Sequence, residues 1–184
     1  LFVQAWYQGG VSVMDFTDSA SPREIAYFDR GPVNAERMVS GGFWSTYWYG
    51  GRIYGTEIAR GLDVLALTPS QHLTENEIAA ASLANYGGRF NPQQQLPVTW
   101  PEHPVVALAY LDQLQRSQSV AAGSAAPLRQ ALAQARATLD AGRRDGSLAS
   151  RIVGLGGGLN AQGGDAKRVA ALRQTLEGIA ARLR

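Results

Sequence analysis

The hydrophobic period of this 184-residue chain changes once, at Pro69. Before it, apolar residues alternate in short runs between glycine-rich turns, a pattern typical of antiparallel strands. After it, apolar residues recur every three or four positions, which predicts amphipathic helices. We therefore expect an α+β fold with segregated parts: β-strands over residues 1–70, a short helix and a proline-rich linker over 71–104, and a four-helix bundle over 105–184.

An internal repeat sharpens the prediction for the strand-rich half. At an offset of 51 residues, residues 2–17 align with residues 53–68, and Gly10 falls on Gly61. A unit of this length with about four strands is typical of one β-propeller blade. Two blades cannot bury their own faces, so we expect a partial β-propeller completed by upstream or partner blades. The strand-like start without an initiator Met favours a fragment or a processed product.

The predicted strands follow from the turns that separate them. Gln8-Gly9-Gly10 and Gly50-Gly51 are both hairpin signatures, and the second permits the positive φ angles of a type I′ turn. The predicted strands are residues 2–7, 11–16, 24–28, 43–49, 52–58 and 62–67.

Aromatic residues concentrate in the strand-rich half, with twelve of sixteen before residue 55. In the fourth predicted strand, Phe43, Tyr47 and Tyr49 occupy one face, and Trp44 and Trp48 occupy the other. A strand that is apolar on both faces normally packs between two layers. The alternative is an aromatic platform for sugar or peptide, so Trp44, Trp48 and Tyr49 are candidate ligand or partner residues.

Carboxylates lie near the predicted strand ends and turns. They are Asp15, Asp18, Glu57 and Asp63, and carboxylates at blade edges can bind calcium. An Asx turn is the simpler role for Asp18. An ion pair within the last hairpin is favoured over a metal, because Arg60 stands between Glu57 and Asp63. Glu57, Arg60 and Asp63 are therefore candidate ligand or partner residues, together with the three aromatic residues above.

Recognisable catalytic motifs are missing from the sequence. His72 and His103 lack a second histidine at metal-ligand spacing, and no Gly-x-Ser-x-Gly elbow occurs. The glycine run at 154–158 resembles a phosphate cradle, but Lys167 is not followed by Ser or Thr, so a flexible loop between helices is expected. We predict a non-enzyme without catalytic residues, metal or cofactor.

Charge is distributed unevenly along the chain. Residues 1–125 carry 7 Arg and 11 acidic residues, whereas residues 126–184 carry 10 basic and 4 acidic residues. The arginines are spread over separate predicted helices without interleaved aromatics, which argues against nucleic-acid binding. No run approaches the roughly 18 apolar residues of a transmembrane helix.

Local signals mark the predicted helix starts. Thr74 and Glu77 form a capping box, Pro104 and Pro127 stand at first-turn positions, and Asp165 precedes the last apolar stripe. Each predicted helix has one apolar stripe, as a small bundle requires.

Residues 11–22, Val-Ser-Val-Met-Asp-Phe-Thr-Asp-Ser-Ala-Ser-Pro, resemble the LVIVD repeat, in which a Val/Ile-rich strand ending in Asp precedes a proline-containing turn. Residues 61–69 look like a terminal copy, and residues 41–68 are similar to the closing segment of such proteins. The sequence departs from the repeat at Ser19, which is usually Pro, and at Ala66, which is usually Asp. The resemblance implies a β-propeller-like, exported or surface-associated bacterial protein, and it supplies no catalytic residues.

Together these features predict a non-catalytic binding or scaffold module of an exported bacterial β-propeller protein. Its expected partners are the upstream part of the same protein or other subunits, in an assembly at the membrane or envelope. One alternative is part of a propeller enzyme, with its active site mainly in missing blades and Asp15, Glu57, Arg60 or Asp63 facing a central channel. The other is a carbohydrate-binding surface on the aromatic strand.

Overall fold

The computed structural model describes residues 1–86, 98–161 and 164–184. These residues form two compact units, a β unit over Leu1–Leu73 and a helical unit over the described part of residues 74–184. The predicted proline-rich linker falls largely on residues 87–97, outside the described residues.

The β unit contains two small antiparallel sheets. The strands are β1 Phe2–Ala5, β2 Val11–Asp15, β3 Arg23–Phe28, β4 Phe43–Tyr49, β5 Arg52–Glu57 and β6 Gly61–Leu65. The strand orders are β1-β2-β3 and β4-β5-β6. The predicted α+β segregation is thus present, with three strands per sheet and no closed propeller among the described residues.

The hairpins β1–β2 and β5–β6 share one register at an offset of 51 residues. The pairs of the first hairpin are Phe2–Met14, Val3–Val13, Gln4–Ser12 and Ala5–Val11, and the corresponding pairs of the second are Ile53–Leu65, Tyr54–Val64, Gly55–Asp63 and Thr56–Leu62. Gly10 and Gly61, at φ +81° and +95°, occupy the same place where the second strand of each hairpin begins. Left-handed backbone at that point favours glycine in both loops.

The two sheets are joined through backbone contacts between Tyr7 and Phe43. The amide of Tyr7 donates to the Phe43 carbonyl at 3.1 Å, and the amide of Phe43 donates to the Tyr7 carbonyl at 2.9 Å. The buried apolar side chains of the unit are few. They are Val11, Val13, Ile25, Phe43, Ile53 and Leu73.

The helical unit contains α1 Glu75–Ser82, α2 Pro104–Arg116, α3 Ala122–Asp140, α4 Gly146–Gly157 and α5 Gly164–Leu183. Apart from Pro104, its largest fully buried side chains are leucines and isoleucines at helical spacing, as the predicted apolar stripes require: Leu111, Leu114, Leu128, Leu132, Ile152, Leu172, Leu176, Ile179 and Leu183. The capping box at Thr74 is confirmed, as is Pro104 in the first turn of α2 after the N-cap residue His103. None of the described helices combines the length and apolarity that a membrane crossing requires.

The predicted helix start at Pro127 is wrong. Helix α3 begins at Ala122, so Pro127 lies inside the helix. A proline there removes one backbone hydrogen bond and crowds the carbonyl four residues earlier, which belongs to Gly123. The extra first turn is stabilised by Ala125, which is fully buried in the core of the unit.

The predicted glycine loop at 154–158 is also wrong, because Gly154, Gly156 and Gly157 lie within α4. A Cβ atom added at Gly156 would lie well inside 3.0 Å of Leu176 Cδ1, whereas one at Gly154 would meet nothing within 4 Å. Gly156 therefore permits a close approach of α4 and α5. Packing of this kind offsets the poor helix propensity of glycine.

Candidate functional site

Trp48 and Tyr49 lie at the turn end of the β4–β5 hairpin, where they pair with Ile53 and Arg52. The turn is the predicted one, with φ angles of +56° and +81° at Gly50 and Gly51. Tyr49 is 48% exposed and Trp48 is half-buried. Only one of these two rings is thus largely open to solvent.

Trp44 lies on a β-bulge at the opposite end of β4. Phe43 pairs with Glu57 and Ser45 with Thr56, which leaves Trp44 as the extra residue. Its side chain is 68% exposed, and its ring meets that of Tyr7 edge to face, with centroids 5.9 Å apart and planes at 89°. The expectation that this strand packs between two layers does not hold for Trp44 within the described residues.

Glu57 is a buried carboxylate at the end of β5, only 4% exposed. One oxygen accepts a hydrogen bond from the Gly42 amide at 2.5 Å, and the other accepts one from the Ala59 amide at 3.0 Å. Two backbone donors satisfy the carboxylate in place of a cation. Glu57 therefore holds the loop before β4 against the β5–β6 turn.

Asp63 pairs with Arg30, at 2.6 Å, instead of with Arg60 as predicted. The Arg30 guanidinium also lies over the Phe28 ring, 5.3 Å from its centroid, while Arg60 contacts the Pro32 carbonyl at 3.4 Å. The intra-hairpin ion pair was a wrong prediction because β6 faces the segment after β3, which supplies a nearer cation. The second oxygen of Asp63 is buried and has no hydrogen-bond partner among the described residues.

A shallow cleft brings part of the candidate surface together. Its lining includes Gln8, Arg30, Phe43, Glu57 and Arg60. Its cavity volume is about 10 Å³, room for about one water molecule, whereas drug-sized ligands usually bind in clefts of about 300–1,000 Å³. Trp48 and Tyr49 lie at the far end of the hairpin, and the six candidate residues do not form one site.

The other carboxylates of the predicted strand ends serve local turns. Asp15 accepts hydrogen bonds from the amide and the hydroxyl of Thr17, and Asp18 accepts one from the Ala20 amide at 3.0 Å. The Asx turn at Asp18 is confirmed. These contacts give both residues local structural roles.

A polar network that was not predicted from the sequence connects the first three helices of the helical unit. Glu77, 7% exposed, accepts two hydrogen bonds from Arg116, while Asp112 accepts hydrogen bonds from Thr74 and Arg129. The capping box therefore links α1 to α2, and Asp112 links α2 to α3. The capping-box pattern predicted Glu77 as a residue at the start of a helix. Its partner Arg116 could not be predicted, because it lies 39 residues away in the sequence.

The two histidines belong to different units, His72 to the β unit and His103 to the helical unit. His103 caps α2, where its Nδ1 accepts the Val105 amide at 3.2 Å. Burial, followed by the charges of Arg136 and Arg182, lowers the pKa of His103, against the opposing effect of Asp140. In the part of the chain that the structure describes, no group of three or more His, Cys, Asp or Glu residues could hold a metal ion.

Comparison with known proteins adds no relative to these observations. No protein-family model, curated protein or solved structure matches the chain. The resemblance to LVIVD repeats therefore stays a prediction.

Proposed function

We propose that this chain is a non-catalytic binding or scaffold module, whose β unit docks on further β-structure from the same protein or from another subunit. Among the described residues, thirteen of the sixteen large exposed apolar side chains belong to the β unit. They include Tyr27 at 76%, Trp44 at 68% and Leu62 at 62%. This uneven exposure is the observation that carries the proposal, because large apolar side chains exposed together on one part of a protein mark interaction sites.

The small core of the β unit supports the same conclusion. Two three-stranded sheets are near the lower limit for independent stability, and among the described residues of the β unit only six apolar side chains are buried. The helical unit, by contrast, buries its apolar stripes and exposes three large apolar side chains among its described residues. A partner that covered the strands would supply the apolar burial that the β unit lacks.

A protein surface fits the exposed aromatics better than a carbohydrate does. Sugar platforms use flat, accessible ring faces, whereas the Trp44 and Tyr7 rings are almost perpendicular and Trp48 is half-buried. We propose further that the parent protein is an exported bacterial β-propeller protein; the exported and bacterial aspects rest on the LVIVD resemblance, and the propeller aspect rests on that resemblance and on the 51-residue repeat.

Dye binding and sedimentation of the isolated chain test the proposal. Exposed docking surface should bind an apolar fluorescent dye and cause concentration-dependent self-association. Tyr27→Lys and Leu62→Lys should each reduce both signals, whereas Leu83→Lys, in the helical unit, should change neither. A monomeric chain that binds no dye would contradict the proposal, and so would equal effects of all three substitutions.

A further inference from the structure

Strands β2 and β6 occupy equivalent places in their hairpins but not in their sheets. β2 lies between β1 and β3, whereas β6 is the last strand of its sheet among the described residues. Because the β1–β2 and β5–β6 registers coincide at an offset of 51 residues, the outer edge of β6 corresponds to the edge of β2 that pairs with β3. In the part of the chain that the structure describes, one of the two equivalent edges is therefore paired and the other is not.

The chain does not fill this edge with the repeat-equivalent segment. The residues 51 positions after β3, residues 74–79, belong to the capping box and helix α1 instead of a strand. On β6, Leu62 is 62% exposed and Val64 is 54% exposed. Their counterparts on β2, Val11 and Val13, pair with Phe28 and Ala26 of β3 and are both buried. The residues of β2 thus have a strand on each side, whereas those of β6 have a described strand on one side only.

We propose that the outer edge of β6 is a docking site for an antiparallel β-strand of the length and apolar pattern of β3. The proposal rests on the proposed function, of which it specifies the contact. Backbone hydrogen bonds along the edge would supply affinity, and apolar side chains beside Leu62 and Val64 would supply selectivity. The occupant is an extended segment of the further β-structure that covers the β unit.

A second copy of β6 fits the edge less well than a β3-like strand. Asp63 is the central residue of β6. Symmetric antiparallel pairing of two β6 strands about their centres would place two Asp63 carboxylates opposite each other, and like charges in that position are destabilising. In β3, the residue that pairs with Ser12, the counterpart of Asp63, is the uncharged Tyr27.

A peptide with the sequence of residues 21–30, which contains β3, is the probe. Added to the ¹⁵N-labelled chain, it should shift the amide resonances of residues 61–65 and slow their hydrogen exchange by at least about tenfold at saturation. A scrambled peptide of the same composition should do neither. The double substitution Leu62→Lys and Val64→Lys should weaken peptide binding by about tenfold, whereas Ile58→Lys, outside β6, should leave it unchanged.

Two results would overturn the proposal. One is the absence of binding at millimolar peptide. The other is a set of shifts confined to β2 and β3, which would show exchange of the peptide with β3. If either occurs while the dye and sedimentation results above are as expected, the edge proposal fails and the proposed function stands. If those results fail as well, both fall.

Discussion

The Glu57 carboxylate accepts a hydrogen bond from the amide of Gly42, at 2.5 Å, inside the β unit. Gly42 has a φ of +87° and lies directly against the backbone of Tyr7 in the β1–β2 loop. The next residue, Phe43, exchanges backbone hydrogen bonds with Tyr7. A single buried carboxylate thus holds the glycine through which the two sheets meet.

Removal of this carboxylate should destabilise the β unit. Glu57→Ala would leave the amides of Gly42 and Ala59 without their acceptor, which costs about 1–3 kcal/mol for a buried polar group. Glu57→Gln retains one acceptor oxygen and should lose less. Urea unfolding followed by tryptophan fluorescence measures the change, with the exposed Glu36→Ala as the control. Equal stability of Glu57→Ala and Glu36→Ala would contradict the assigned role.

Substitution of Gly42 should be more harmful than substitution of Gly50. Both have positive φ angles, but a Cβ at Gly42 would overlap the Tyr7 backbone, whereas one at Gly50 would meet nothing within 4 Å. Gly50→Ala should cost about 1 kcal/mol from backbone strain alone, and Gly42→Ala several times as much. The difference in urea midpoint between the two variants is the measurement. Similar urea midpoints would contradict the close approach of Gly42 to the Tyr7 backbone.

The glycines of α4 should respond to alanine in opposite directions. Gly154→Ala should stabilise the helical unit by up to about 1 kcal/mol, because alanine has the higher helix propensity and the site is open. Gly156→Ala should destabilise it by about 1–3 kcal/mol, because the new methyl group would overlap Leu176. Thermal unfolding followed by circular dichroism at a helical wavelength separates the two. Stabilisation by both substitutions would contradict the packing of α4 on α5.

The helical unit should lose stability in acid through Asp165. Burial alone would raise the pKa of this carboxyl, but hydrogen bonds from Ser119 and Ser117 and the neighbouring Arg168 outweigh it, and the pKa is lowered. Because the pKa is lower in the folded state, the stabilisation is present above the ordinary value near 3.8 and is lost as the pH falls through the folded-state value.

Asp165→Asn should therefore flatten the dependence of the free energy of unfolding on pH below about pH 4. Ser119→Ala keeps the carboxylate but removes one of its hydrogen bonds, so its pH dependence should be intermediate. Denaturant unfolding at a series of pH values measures how the free energy of unfolding of each variant changes with pH. Superimposable curves for the wild type and both variants would contradict this account.

The predictable features of the fold are those determined by neighbouring residues. The turn at Gly50-Gly51 requires two positive φ angles, and the capping box at Thr74 satisfies helix-terminal amides within three residues. The predicted strands agree with the observed ones to within two residues at each end, because alternation and turn glycines are local signals. The 51-residue repeat was also visible in the sequence. In the structure, the β1–β2 and β5–β6 hairpins pair in the same register at that offset.

Features that depend on distant neighbours were not predictable. Asp63 has Arg30 as its partner, 33 residues earlier, although Arg60 is nearer in sequence. Gly156 lies in a helix that packs closely against Leu176. The glycine-rich sequence around it does not indicate this distant contact and favours a loop. Trp44 is exposed at a β-bulge, which interrupts the alternation of side chains between the two faces of β4.

The central claim, that further β-structure covers the β unit, is tested most directly by photo-cross-linking within the native polypeptide and its natural assembly. Benzoylphenylalanine would replace Tyr27 or Trp44, with Trp100 of the helical unit as the matched aromatic control, and mass spectrometry would identify the linked peptides. The account predicts that Tyr27 and Trp44 cross-link to a strand-forming segment of the same protein or of one defined subunit, while Trp100 does not. The absence of cross-links at Tyr27 and Trp44, or the same products from all three positions, would contradict it.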